Sequence, residues 1–160
     1  MKLSDTSGPV GLGGWLILVG LGLVFTPLRL LSFIGQTFVP IFTEGSWELL
    51  TTPGSEVYHP LWGPLIVFEL AVNGGFLLAG IGLLILFFMR SPVFPKAYIW
   101  VALLNLPLVL LDAWLTTRVL PDQPMFDADT ARELGRSFVA VAIWVPYMLV
   151  SRRVRNTFAA

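Results

Sequence analysis

Four apolar stretches dominate this chain of 160 residues, at about 14–31, 61–88, 98–120 and 130–150, and only short connections remain between them. Each is close to or above the roughly 20 residues that a helix needs to cross a bilayer. Hydrophobic residues make up 56% of the chain and charged residues 12%, against about 25% charged in an ordinary soluble domain. Too little polar surface exists to solvate a globule, so the bilayer must be the solvent. The expected fold is all-α: an integral membrane four-helix bundle, formed by a single membrane domain over residues 1–160. Gly13 to Leu28 continues apolar without a small-residue cleavage site, which favours a retained first span over a cleaved leader.

Orientation follows from the Lys and Arg residues outside the spans, because cytoplasmic loops carry the excess. Lys2, Arg90, Lys96, Arg152, Arg153 and Arg155 all fall on one side. The connection 32–60 has no Lys or Arg but carries Glu44, Glu48 and Glu56, and 121–129 carries Asp122, Asp127 and Asp129. Both termini should therefore be cytoplasmic. Arg152, Arg153 and Arg155 are expected to meet lipid headgroups, being too few and too close to an apolar segment for nucleic acid. Arg118 is discordant but can snorkel outward from a span's end. Trp15, Trp100, Tyr98 and Tyr147 fit the inner interface; Trp47, Tyr58, Trp62 and Trp114 fit the outer one. The outer connection between the first two spans is long and itself apolar, with Phe33, Phe38, Phe42 and Trp47 needing cover. It is expected to lie on the membrane face or to cap the bundle, as a lid over a cavity or as a simple hydrophobic plug.

Polar groups interrupt every span: Arg29 in the first, Glu69 with Asn73 in the second, Asn105 with Asp112 in the third and Arg136 in the fourth. At 1.5 Å per residue, Glu69 and Asp112 lie about 12 Å, and Arg136 about 9 Å, from the outer ends of their helices. Arg29 falls in the same layer. Two charges of each sign at one depth predict pairing, since an unpaired charge in lipid is costly. The residues then form either an interhelical lock, with Asn73 and Asn105 as hydrogen-bonding glue, or a site where Glu69 or Asp112 binds a cation or carries protons. A narrower alternative pairs Arg136 with Glu133 along one helix. Ala71, Gly75 and Ala79 offer a small-residue stripe for close helix approach on another face. The start of the fourth span is read as capped by Asp129 or Thr130, with Thr130 and Glu133 as a capping box.

Other chemistry has little support. Cysteine is absent and His59 is the single histidine, so thiolate metal sites and bis-histidine haem have no ligands within one chain. Gly11-Leu12-Gly13-Gly14 lacks the strand and the third glycine of a nucleotide loop. A serine triad, a helical metalloprotease motif and an EF-hand are all missing, and no resident metal or cofactor is expected.

The run Tyr58-His59-Pro60-Leu61-Trp62, then Phe68-Glu69, Asn73, Leu86-Phe87-Phe88 and Phe94-Pro95, resembles the middle of a bacterial membrane family labelled domain of unknown function 2569. Its end is similar too, in Arg136-Ser137, Ile143-Trp144-Val145-Pro146-Tyr147 and Ser151-Arg152-Arg153-Val154-Arg155-Asn156-Thr157-Phe158, as is its opening in Gly13-Gly14-Trp15-Leu16. The resemblance implies a four-span bacterial inner-membrane protein with both ends inside, and assigns no activity. It also implies an accessory role, because similar segments are appended to exported transglutaminase-like domains. The leading expectation is a non-enzymatic accessory, assembly or anchoring protein, with membrane lipids and another membrane or periplasmic protein as partners. The alternative is a small proton-coupled transporter using Glu69 and Asp112, working as a homo-oligomer because four helices enclose little space.

Overall fold

The computed structural model describes residues 8–159. Six helices and no strands occur among them: α1 Trp15–Thr43, α2 Ser46–Thr51, α3 Trp62–Phe88, α4 Phe94–Val119, α5 Ala128–Val150 and α6 Arg152–Thr157. The long helices α1, α3, α4 and α5 are each long and apolar enough to cross a membrane. The all-α, four-span architecture is therefore present. Lys2, one of the charges in the orientation argument, lies outside the described residues.

α1 departs from the sequence reading. Residues 32–43, expected to begin the outer connection, continue the helix, which runs through both Pro27 and Pro40. Polar side chains here bond within the helix: Gln36 Nε2 donates to Ser32 Oγ at 2.6 Å and Thr43 Oγ1 donates to the Val39 carbonyl at 2.9 Å. Hydropathy marks where lipid ends, whereas helix length depends on local bonding, and the two boundaries differ. At about 43 Å for 29 residues, α1 exceeds the roughly 30 Å hydrocarbon layer and must tilt or project. Gly45, at φ 78°, then turns the chain into α2. α2 packs on α1 and α3, with the Phe42 and Trp47 rings 5.1 Å apart.

The spans pack in the order α1 on α3, α3 on α4 and α4 on α5, whereas α1 and α5 do not pack along their lengths. α1 and α3 approach most closely at two glycines. A Cβ on Gly20 would stand 3.0 Å from the Phe87 ring, and one on Gly80 would stand 3.1 Å from Pro27 Cγ. The expected stripe is not used inside the chain, since a Cβ on Gly75 would touch nothing.

The main core sits at the end of the bundle where the chain starts and finishes. Leu16, Phe87, Phe94, Met148, Val154 and Phe158 are buried together there. The Phe94 and Phe158 rings stack at 4.7 Å, and Phe87 meets Phe94 edge-on at 5.2 Å. Thr157, also buried, ties the chain ends together: the Gly11 N–H donates to Thr157 Oγ1 at 2.9 Å, and that hydroxyl donates to the Gly11 carbonyl at 3.3 Å. Ser151 makes this geometry possible by ending α5 in extended backbone and capping α6 through the Val154 N–H.

Arg152 and Arg155 are exposed. Arg153 is not. It is half-buried against Gly13 and Gly14, where a Cβ on Gly13 would lie 2.6 Å from its Nη1. Gly14 has φ 59°, a left-handed conformation that glycine adopts without steric penalty. Close approach and backbone angle thus explain the glycines that imitate a nucleotide loop.

The start of α5 also differs from expectation. Its N-cap is Asp127, whose carboxylate accepts the Thr130 N–H at 2.7 Å. That hydrogen bond holds the Asp127 carboxyl below the usual carboxylate range. Asp129 instead pairs with Arg132 at 2.8 Å on the exposed surface. Because capping falls to Asp127, Glu133 has no capping role and faces a cavity.

Candidate functional site: a cavity between the spans

Away from the terminal core the four spans separate around a cavity of about 550 Å³. Its polar residues come from regular stripes. Glu69 and Asn73 stand one turn apart on α3; Tyr98, Asn105 and Asp112 recur every seven residues on α4; Glu133, Arg136 and Ser137 occupy one turn of α5. Spacings of three, four and seven keep side chains on one helical face, which is why all reach the same space. α1 contributes an uncharged wall including Leu23, Thr26, Pro27 and Leu30. Toward the terminal core the lining becomes apolar and aromatic, with Leu83, Val101 and Trp144. Tyr98 belongs to this wall and packs on Phe94 at 5.8 Å.

The structure gathers most of the expected polar residues but not as a lock. Glu69, Asn73, Asn105, Asp112 and Arg136 all line the cavity. Arg29 does not: it is exposed on the outer surface of α1 beside Phe25 and Leu28. At about 100° per residue, Arg29 lies nearly opposite Pro27 on the helix, and Pro27 is the residue packed inward on Gly80. Among the described residues the single ion pair is Arg132 with Asp129, and it is exposed. The expected intramembrane salt bridge is therefore absent, both between helices and between Glu133 and Arg136. Arg118, the discordant charge, places its guanidinium 4.6 Å from the centre of the Trp114 ring, a cation–π contact suited to a helix end.

Of the two amides expected as hydrogen-bonding glue, one bonds within its own helix and the other crosses between helices. Asn73 Nδ2 donates to the Glu69 carbonyl at 2.9 Å, one turn back on its own helix. Asn105 Nδ2 crosses to α5, donating to Ser137 Oγ at 2.7 Å. Sequence reasoning assigned no role to Ser137, and placed Glu133 only as a member of a capping box or as a partner of Arg136. Their signal was present in spacing, since both share a face with Arg136, but serine in an apolar span is common and Glu133 fitted a helix cap. Among the buried side-chain polar atoms of the described residues, Asp112 Oδ1 is the one without a hydrogen-bond partner. His59, by contrast, works locally, its Nδ1 accepting the Leu61 N–H at 3.2 Å in the turn before α3. No group of His, Cys, Asp or Glu among the described residues is arranged to hold a metal ion.

Four apolar helices, each long enough to cross a bilayer, define a multi-pass α-helical membrane protein. The family model described as "Protein of unknown function (DUF2569)" matches residues 9–159, and the chain belongs to this family. A relative of nearly equal length, the "Inner membrane protein YdgK" of Escherichia coli (strain K12), is 29% identical over 159 residues, covering 96% of this chain and 97% of the relative. The chain is accordingly a multi-pass protein of the bacterial inner membrane. No solved structure matches it.

Proposed function

We propose that this protein is a small proton-coupled inner-membrane carrier that binds a proton at Glu69 and Asp112 in the cavity between its spans. The observation that supports this reading is the absence of ion pairing around Asp112, which lines the cavity and whose Oδ1 is buried without a hydrogen-bond partner. A structural lock satisfies its charges within the protein, and ionisable groups that face a cavity inside the membrane commonly mark a transport path. Both termini are cytoplasmic in this reading. Arg90, Lys96, Arg152 and Arg155 flank the terminal end, while Glu44, Glu48, Glu56 and Asp122 lie toward the other. A reporter at Ser55 then labels from outside the cell, and cytoplasmic labelling reverses the orientation.

The reading is tested by proton flux into proteoliposomes carrying the wild type, Glu69→Gln or Asp112→Asn. Flux that both variants lose while remaining folded supports the carrier; flux that is absent in the wild type, or equal in all three, removes it. A second reading, as accessory or anchoring partner of another membrane or periplasmic protein, is favoured by the unpacked seam between α1 and α5. A foreign helix filling that seam should leave the membrane with this protein at fixed stoichiometry, measurable by mass spectrometry of the intact complex. Neither reading assigns a catalytic step.

A further inference from the structure

We infer that the cavity is a binding site for a lipophilic amine, a ligand with one ammonium group on an apolar body; this deepens the carrier reading and rests on the cavity being its working site. Size comes first. At about 550 Å³ the space falls within the roughly 300–1,000 Å³ typical of small-molecule sites. Polarity is divided between its ends, with Leu83, Val101 and Trp144 toward the terminal core and Glu69, Asp112 and Glu133 toward the other end.

Charge then selects the ligand. Three carboxylates and one guanidinium, that of Arg136, face the space, so an anionic ligand meets more repulsion than attraction. Asp112 lines this space without an ion pair, and its buried Oδ1 has no hydrogen-bond partner, so its carboxylate is free to accept a donor from a ligand. A primary ammonium supplies three donors together with a positive charge, and its bond to a carboxylate is charge-assisted. A quaternary ammonium carries the charge but no N–H, and a neutral alcohol carries a donor but no charge. Divalent metal is disfavoured because no three ligating side chains are suitably grouped among the described residues. The apolar body finds its place along the uncharged wall of α1. The α1–α5 seam gives a route from the lipid, where such an amine already partitions.

The test uses the full chain in lipid nanodiscs, titrated calorimetrically with n-octylammonium at neutral pH and corrected against empty nanodiscs. Saturable binding is expected, at least tenfold weaker with Asp112→Asn and with Glu69→Gln. Octyltrimethylammonium and n-octanol should each bind the wild type at least tenfold more weakly than the primary amine. Equal binding of n-octanol would reduce the site to an apolar hole and overturn the inference, as would octylammonium affinity unchanged in both variants. A stoichiometric ethanolamine lipid retained by the protein and not displaced by octylammonium would assign the cavity to a headgroup instead, again overturning it. Should Asp112→Asn not fold, the comparison of ligands on the wild type and on Glu69→Gln still decides. Amine binding without proton flux keeps the site and removes the carrier; flux lost in Asp112→Asn, without amine binding by the wild type, does the reverse.

Discussion

Phe94 and Asp112 lie on the same helix, yet Phe94 is fully buried among Phe87, Tyr98 and Phe158, whereas Asp112 carries a buried oxygen that nothing in the protein satisfies. Aromatic rings, a two-way hydrogen bond from Thr157 to Gly11 and a half-buried Arg153 close the bundle at the terminal end. Eighteen residues along α4 the helices stand apart around unpaired charge. The main apolar cluster thus lies at the terminal end, and the polar residues line a cavity away from it. Space between helices that is left as a cavity is space that side chains do not fill, so the contacts that join the spans lie elsewhere, the aromatic cluster at the terminal end among them.

The largest expected effect tests the rigid half. Phe94→Ala removes a ring from a close-packed cluster and should destabilise the protein by about 3–5 kcal/mol, read as a lower midpoint in detergent unfolding. A change below about 1 kcal/mol would mean that the terminal core does not carry the fold. Next, Gly80→Val forces side-chain atoms into Pro27 at the α1–α3 contact and should cost about 1–3 kcal/mol, while Gly75→Ala, whose Cβ meets nothing, should be neutral in the same assay. If the Gly75 variant proves the more damaging in its native membrane, the unused stripe is a contact between molecules.

The smaller effects concern the open half. Asn105→Ala breaks the one amide bond that crosses α4 to α5 and should cost about 0.6 kcal/mol, near the average for such bonds in membrane proteins. Smallest of all, Arg136→Gln and Asp112→Asn should each change unfolding free energy by less than about 0.5 kcal/mol, because neither loses an ion pair. A loss of about 3–5 kcal/mol in either would restore the lock, since that is the cost of breaking a buried pair. For Asp112→Asn the more telling direction is a slight gain, as a carboxylate without a donor becomes a neutral amide.

Single residues show why part of this was legible in advance. Glu69, Asp112 and Arg136 were brought to one depth by counting residues from the ends of their spans, and the helical rise is constant enough for that arithmetic to hold. Arg29 passed the same depth test and still lies outside the cavity, because depth says nothing of azimuth and the packing of Pro27 on Gly80 fixes the rotation of α1. Ser137 gave almost no signal, since its role exists only in the Asn105 amide that reaches it from another helix. Glu133 was assigned to a cap that Asp127 takes instead, a choice made by one backbone hydrogen bond to Thr130.

By itself the sequence determined the solvent, the number of spans and the layer in which the polar groups lie, because hydropathy and helical rise are local properties that neighbouring helices do not alter. The tertiary structure decided which of those groups face one another, that opposite charges at equal depth stay unpaired, and that a cavity rather than a lock occupies the space between them. Those outcomes depend on how each helix is rotated and how far α1 stands from α5, and both are set by contacts between residues distant in the chain.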